Sequence, residues 1–417
     1  MISYQQACDC IAARAASLET EIVPLAEALH RVLAVNIVSK VSLPSFANSA
    51  MDGFVCRTED VDSPNLICVG KVAAGDTVPE KPLNVGTCLE IMTGAPVPQN
   101  GTTVIPVEQV EREGDMVHVL VPPKAGQHVR LSGEDIRQGE ALLAAGTLLQ
   151  ASQVGMLAAI GQADIIVHRQ PRVAVLTTGN EVVADLKATL EAGQIYNSSL
   201  YYLQAMLPQL GAKVVYTAVL PDDVALAEEA FKTALAKNID MIMTTGAVSA
   251  GKYDFVPALW EKMGGETLFH KVAQRPGKPI LVGYKNNSWL LGLPGNPVST
   301  MAGLRGLGSV LLRTLQGLPQ EQFIEAKLVS TVSSKAGFTH LQKAELFHQD
   351  GEACVSVSGA QASFQLKPFV TANAWVVVPE DKKCLAIGET VKVMPHVWPE
   401  LTGFQQQGEW KNVCNAA

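Results

Sequence analysis

No apolar run in this chain reaches the roughly 20 residues needed to span a bilayer. Its opening, MISYQQACDC, has neither the basic start nor the apolar core of a secretory signal. Those two absences predict a cytoplasmic protein. No CxxC or HExxH pattern occurs, and the 8 histidines show no ligand spacing, so none is read as catalytic. The 8 cysteines are scattered, and Cys8 and Cys10, the close pair, fall on different sides of an expected helix. They make a poor metal clip, and the thiols read as buried and reduced. No long basic face appears, and a net charge of −8 argues against nucleic acid as the main partner. Charged residues at 17% and hydrophobic ones at 47% describe a globular chain, not a disordered one. Its 417 residues suffice for several domains with their own cores, and no internal repeat is present.

What is present changes texture along the chain. Ser3 can cap a helix running to about Leu18, and PLAEALHRVLA at Pro24–Ala34 has helical apolar spacing. After Leu43–Pro44, short β-type runs (Cys88–Met92, Thr103–Val107, Met116–Val121) predict a β-rich domain. A helix is expected at 150–160. From Pro171, strands at 172–177, 213–220 and 239–243 alternate with helices at 198–207, ended by Pro208, and at 223–237, 254–263 and 297–315. That rhythm predicts a parallel sheet with helices on both faces. From about Phe323 to Val393 the pattern is β-like again, and the residues from Trp398 on read as a frayed polar tail. The resulting fold class is α/β plus β domains. Its expected boundaries are a helical linking and dimerisation domain at 1–44 with 139–170, a β-rich domain at 45–138, an α/β domain at 171–322, a C-terminal β domain at 323–397 and a tail at 398–417.

Three glycine-rich segments fall in the α/β stretch: TTGAVSAGKYDF from Thr244, RPGKP from Arg275 and GLPGNP from Gly292. Gly246 and Gly251, with Ser249 between them, allow backbone N–H groups to cradle an anion. Asn296–Pro297 opens a helix with Pro in its first turn. Ordinary strand-to-helix turns would also carry Gly and Pro; three such loops in one unit point to a site for a phosphorylated small molecule. Acids follow strand ends at Glu181, Asp222, Asp223 and Asp254. Converging carboxylates repel unless a cation joins them, and Mg²⁺ takes few carboxylates plus phosphate oxygens and water. Asp222 and Asp254 are the candidate metal ligands, while Asp223 reads as a helix cap. Lys271, Arg275 and Lys278 supply positive charge for an oxyanion, Arg adding a bidentate fork. Outside this stretch, SAMDG at Ser49–Gly53, TGAPVP at Thr93–Pro98 and VRLSGEDIRQG at 129–139 are each open to reading as plain loops.

Taken in order, SAMDG, TGAPVP, VIPVEQ around Glu108, VRLSGEDI, TTGNE, TTGAVSAGKYDF, RPGKP and GLPGNPVS resemble the MoeA family of molybdopterin molybdenumtransferases, related to the E domain of gephyrin. The resemblance covers about Ser3 to His396. It implies an elongated, multidomain subunit with a central MogA-like α/β domain that binds molybdopterin, a β-rich second domain and a C-terminal β-barrel-like domain. It also implies insertion of molybdate into adenylylated molybdopterin with Mg²⁺ and release of AMP. A homodimer follows from it, with a site shared between subunits, as does transient contact with the adenylyltransferase that supplies the pterin.

By the resemblance, Asp52, Thr93, Glu181, Asp222, Asp254 and Lys271 are the catalytic set. Gly246, Ser249, Gly251, Arg275, Lys278, Pro294, Gly295, Asn296, Lys343 and Ser363 bind substrate. The chain departs from the family pattern at Ala247 in place of glycine, Lys252 in place of an acid, Arg275 in place of lysine, Lys343 in place of arginine and Thr102 in place of Asp. Ala247 and Lys252 keep a second reading open: a weakened or non-catalytic paralogue that binds the pterin as a scaffold.

Overall fold

The computed structural model describes residues 1–249 and 255–402. The expected roles of Gly251, Lys252 and Asp254, and the tail beyond Thr402, lie outside the described residues. Two compact units divide the chain: one holds Met1–Val35, Ala145–Val154 and the chain from Asp164 onward, the other Asn36–Ala144 and Gly155–Ala163. Among the described residues, no helix is long and apolar enough to cross a membrane.

In the first unit, continuous apolar runs bury both faces of the central strands, as a sheet covered by helices demands. Its order is Lys213–Leu220, Arg172–Thr178, Met241–Thr245, Ser288–Leu293, Leu281–Lys285, Glu266–His270. Val173, Val175, Met241 and Met243 face Leu200, Leu203, Leu207, Leu304 and Leu311. Ala174, Leu176 and Ile242 face Ala227, Phe231 and Trp260 on the other side. The first four strands are parallel, but Leu281–Lys285 runs opposite and makes both of the last two pairings antiparallel, so the sheet is mixed where a purely parallel one is expected. A two-residue connection, Asn286–Asn287, makes a hairpin there; both residues sit in the left-handed region that such a turn needs.

From Ile324 to Pro395 five strands close on themselves. Thr339–Gln349 pairs with Glu352–Val357, which continues through Ile324–Leu328, Thr390–Pro395 and Ala374–Val378 back to Thr339–Gln349. Closure removes the free sheet edges. A short strand, Gln274–Arg275, joins this barrel in parallel with Thr339–His340 and so ties the RPGKP segment to it.

Several expectations at the N-terminal end need correction. Ser3 does form a capping box with Gln6, but the helix ends at Arg14, not Leu18. Pro24–Ala34 is not a helix. Thr20–Pro24 pairs antiparallel with Asp164–His168, His30 adopts φ +60, and only Leu25–Glu27 makes a 3₁₀ turn. The helical spacing of its apolar residues instead lets Ala28, Val32 and Leu33 be buried from an irregular segment. Helix 198–207 continues through Pro208 to Gln209, because proline in a last turn has little helix left to break. Residues 398–402 are held in place, not frayed: Trp398 is 1% exposed beneath the Arg313 guanidinium, which also bonds Glu400 at 2.7 Å. Not all thiols are buried, since Cys384 is exposed and Cys10 half-buried, although burial pushes Cys8 and Cys56 up to about 12.

The expected 297–315 helix is present with a defect. A π-helical turn, Leu304–Gly308, separates Pro297–Gly303 from Ser309–Leu315. Arg305 in that turn is 1% exposed. Its Nε donates to the Pro395 carbonyl at 2.6 Å, and its terminal nitrogens reach Ser309 Oγ at 3.2 Å and the Glu321 carboxylate at 2.8 Å. One guanidinium thus joins the helix, the connecting segment and the last barrel strand.

The second unit is built on a sheet ordered Thr103–Pro106, Gly53–Cys56, Thr87–Ile91, Asn65–Val72, Met116–Val119, Val110–Glu113. Only the Asn65–Val72 and Thr87–Ile91 pairing is parallel. Gly53 is required where the strand passes its neighbour, since a Cβ there would lie 1.9 Å from the Ile105 carbonyl oxygen. The 129–139 loop holds itself: Leu131 N–H donates to Glu134 Oε2 at 2.7 Å and Arg137 N–H to Glu140 Oε2 at 3.0 Å.

The Arg305 arrangement makes the first prediction. Glu321→Ala leaves a buried guanidinium without its counter-charge and should destabilise by about 3–5 kcal/mol. The double change Arg305→Met with Glu321→Ala should recover much of that loss. Urea midpoints of the three proteins decide it, and a Glu321→Ala cost below about 1 kcal/mol would refute the reading.

Candidate functional site

Strand ends at the carboxyl edge of a parallel sheet leave backbone groups free, and loops there gather ligands. Gly246 follows Met241–Thr245 with φ +90, a conformation open to glycine. A Cβ on it would stand 2.5 Å from Thr178 Oγ1 and 3.1 Å from the Thr178 carbonyl oxygen. Gly246 N–H donates to the Leu293 carbonyl at 2.9 Å. Gly295 is close enough that a Cβ there would touch Gly246 Cα at 3.5 Å. Three strand ends therefore converge through bare backbone.

Next to Gly246, Ala247 also takes a positive φ, +54, where its methyl is disfavoured. Val248 is buried and accepts from His270 Nε2 at 2.7 Å, and Ser249 is exposed. On the GLPGNP side, Pro294 is buried, its carbonyl bonded by Thr300 Oγ1 at 2.8 Å, while Gly295 and Asn296 are exposed. The Asn296 amide nitrogen reaches Ser363 Oγ at 3.4 Å. The structure thus brings Gly246, Gly295, Asn296 and Ser363 together from far-apart stretches.

On the other flank, Glu181 is exposed, its carboxylate folded over Gly179. Asp222 is half-buried, and its N–H donates to Asn180 Oδ1 at 3.1 Å. Asp223 caps the Val224–Leu235 helix, accepting from Ala225 and Leu226 N–H at 2.8 and 3.0 Å, as expected. Asn180, which positions Asp222, was not picked out from sequence; its signal was its place between the TTG turn and Glu181. No group of three or more His, Cys, Asp or Glu side chains that could hold a metal occurs among the described residues. A Mg²⁺ ion bound through one or two carboxylates and substrate oxygens does not require one.

The cations share one loop. Lys271 is half-buried with φ +73, and Arg275 and Lys278 are exposed. The Arg275 guanidinium lies 4.2 Å above the Phe338 ring, which fixes its plane without neutralising it. Among the described residues none of the three has an acidic partner within salt-bridge distance. Lys343, an expected substrate contact, is fully buried on the outer face of the barrel beside Leu341 and Trp375, and its ammonium donates at 3.1 Å to the carbonyls of Ala362 and Gln365.

Asp52 and Thr93 belong to the second unit and meet there across 41 residues of chain. Asp52 Oδ1 accepts from Thr93 N–H at 2.7 Å and from Thr93 Oγ1 at 2.8 Å. The backbone N–H, then the hydroxyl, hold the Asp52 carboxyl below its ordinary pKa. Both residues are exposed. Ser49, the first residue of SAMDG, anchors the turn by donating Oγ–H to the Met51 carbonyl at 2.6 Å. Thr102 Oγ1 lies 2.5 Å from Thr58 Oγ1. Glu108 is exposed in a 3₁₀ turn.

A mixed α/β sheet with anion-friendly loops at its carboxyl edge, followed by a closed barrel that contributes a serine to that edge, defines a multidomain ligand-binding protein. Residues 2–161 match the MoeA N-terminal region (domain I and II), 174–314 a probable molybdopterin binding domain, and 325–396 the MoeA C-terminal region (domain IV). The chain is 36% identical over 407 residues to a molybdopterin molybdenumtransferase of Synechococcus elongatus, covering 94% of this chain and 99% of that one. It is 35% identical to the protein of that name from Haemophilus influenzae, covering 90% and 94%. A crystal structure of a molybdopterin biosynthesis moeA protein from Pyrococcus horikoshii superimposes with a TM-score of 0.79 at 28% identity, covering 95% of this chain and 100% of that one. The chain belongs to the MoeA family of molybdopterin molybdenumtransferases.

Two measurements test this geometry. Because the folded pKa of Asp52 is lowered, its contacts stabilise the loop above the ordinary carboxylate range and are lost as pH falls through the lowered value. A carboxyl-carbon NMR titration should show Asp52 titrating below an exposed Asp. Thr93→Ala should restore only part of the difference, since the larger contribution is the backbone N–H. An ordinary midpoint would refute it. Separately, Ala247→Gly relieves a left-handed alanine and should stabilise by about 1 kcal/mol, read from the urea midpoint; a loss of stability would show that the methyl packs usefully.

Proposed function

We propose that this transferase inserts molybdate into adenylylated molybdopterin, releasing AMP, with the carboxyl edge of the mixed sheet as the receiving site. The observation that carries the reading is the meeting of Gly246, Gly295, Asn296 and Ser363, with the cation loop packed through Gly277 against Ser299 of the helix that follows. Molybdate and the pterin phosphates are all anions. At about 4 Å, two unit charges repel by roughly 4 kcal/mol at an effective dielectric near 20. Lys271, Arg275 and Lys278 offset that repulsion, and the backbone amide at Gly295 adds a fixed donor. Holding both anions in register removes the entropy barrier of their encounter. Asp222 and Asp254 are the residues that would hold Mg²⁺, which supplies further charge neutralisation at the phosphoanhydride. Glu181, Ser249 and Pro294 complete the proposed substrate contacts, with Gly251 as a further donor. Asp52 and Thr93 present a rigid carboxylate for the same chemistry. A homodimer, a cytoplasmic location and a passing contact with the adenylyltransferase belong to the same proposal on the strength of family membership.

The second reading, a weakened member that binds pterin as a scaffold, is favoured by one observation, the strained Ala247 beside the cradle. Purified protein given adenylylated molybdopterin, molybdate and Mg²⁺ should release AMP. Asp222→Asn and Asp254→Ala should each slow that release by about 10²-fold or more with an unchanged circular dichroism spectrum. Pterin binding without AMP release would favour the scaffold. A large rate gain on Ala247→Gly with Lys252→Asp would mark a weakened enzyme.

A further inference from the structure

Lys343 presents a physical problem that the reaction does not by itself explain. Its side chain is 0% exposed. Among the described residues no carboxylate pairs with it, and burial lowers its pKa. An ammonium in such a place is unfavourable unless its hydrogen bonds accomplish something. Those bonds go to the carbonyls of Ala362 and Gln365, both at 3.1 Å, on either side of Ser363. The backbone of the same lysine is clamped to the same loop. Lys343 N–H donates to Gln361 Oε1 at 2.9 Å, and Gln361 Nε2 returns to the Lys343 carbonyl at 3.0 Å and to Ser358 O at 2.6 Å. Gln365 Oε1 accepts from Ala362 N–H at 3.0 Å, closing the turn. The Phe369 ring lies 5.9 Å from the ammonium as its apolar wall. On its outer side the loop carries Ser363, within 3.4 Å of Asn296, and Phe364, which is 73% exposed.

We propose that Lys343 is a positioning residue: from the outer face of the barrel, beside Trp375 and Phe369, its ammonium fixes the Ser358–Leu366 loop so that Ser363 stands over the GLPGNP turn. This rests on the reading that the sheet edge receives the substrate. Lys343 itself stays out of contact with substrate and acts through Ser363. Met matches the Lys stem but ends without the ammonium, so Lys343→Met removes the grip while relieving a buried charge. A residue that merely filled space against the barrel would, on replacement, lose stability and activity together. A positioning residue separates the two.

The experiment compares wild type, Lys343→Met, Lys343→Arg, Ser363→Ala and the Lys343→Met/Ser363→Ala double variant as full chains. Amide hydrogen exchange in peptides covering 358–366 should quicken about tenfold or more in Lys343→Met, as for a loop freed from its anchor. Lys343→Arg, which retains the donors, should restore slow exchange. The thermal midpoint of Lys343→Met should equal or exceed wild type. AMP release should fall by about 10-fold to 10²-fold in kcat/KM, as expected for a displaced contact. The double variant should be no slower than Ser363→Ala, because the two changes act through one group. Unchanged loop exchange in Lys343→Met overturns the proposal, and so do additive losses in the double variant. A wild type that releases no AMP would sink the functional reading alone, since loop exchange judges the anchor without it.

Discussion

Room for a hydrogen atom, and nothing larger, at Gly246 is the constraint on which the site depends. Its missing side chain lets the end of Met241–Thr245 lie against Thr178 on one neighbour and Gly295 on the other. A parallel sheet with side chains there would splay its carboxyl ends, and the loops after them would diverge. Instead the acids after Thr178, the cradle after Thr245 and the GLPGNP turn after Leu293 share one edge. The hydrogen bond from Gly246 to Leu293 then fixes their spacing. Charge matters only after this packing is satisfied, because cations scattered on separate loops would not sum at one place.

A second layer of constraint brings the barrel to that edge. Gln274–Arg275 adds a short parallel strand to Thr339–His340, so the loop that carries Arg275 and Lys278 is also a barrel element. Arg305 ties the helix following the GLPGNP turn to the last barrel strand at Pro395. The Asn296–Ser363 contact lies between these two joints. Its length is that of a weak hydrogen bond, so it cannot hold the parts together on its own. It reports an alignment that the strand pairing and the buried guanidinium have already imposed.

Much of this was legible in the sequence, for identifiable reasons. Apolar runs bounded by turn residues located Arg172–Thr178 and Lys213–Leu220 almost to the residue, because a central strand such as Arg172–Thr178, buried on both faces, tolerates few polar side chains. Asp223 was recognisable as a cap, since an acid immediately before an apolar helix has free N–H groups to accept from. Pro24–Ala34 misled because helical spacing of apolar residues says only that they are buried on one side. Non-local bonds from His30, Val32, Leu33 and Ala34 to residues 147–149 and 166–168, which no local window contains, took the backbone groups instead. The antiparallel hairpin at the sheet edge escaped for a related cause: an Asn-Asn turn looks like any loop until both residues are seen at positive φ. Lys343 entered by family resemblance alone, because a lysine in a strand gives no sign of whether its end meets solvent or, as here, carbonyl oxygens.

Asp52 and Thr93 show where family likeness and physics add different things. Motif resemblance alone joined SAMDG to TGAPVP, for nothing in either segment demands the other. The structure supplies the reason they travel together. Gly53 must lack a side chain to pass Ile105, which brings the preceding carboxylate to the strand end, and Gly94 N–H bonds the Ser49 carbonyl at 2.8 Å. Thr93 is thereby held where both its donors meet one carboxylate oxygen. The other Asp52 oxygen makes none of these bonds, and the group is anionic well below neutral pH. A carboxylate immobilised through one oxygen, charged and open through the other, is suited to orient a donor or a hydrated cation. It is poorly suited to take up a proton, because each bond from Thr93 favours its ionised form. Within the proposed reaction, that geometry argues for binding and orientation by Asp52 over general-base catalysis.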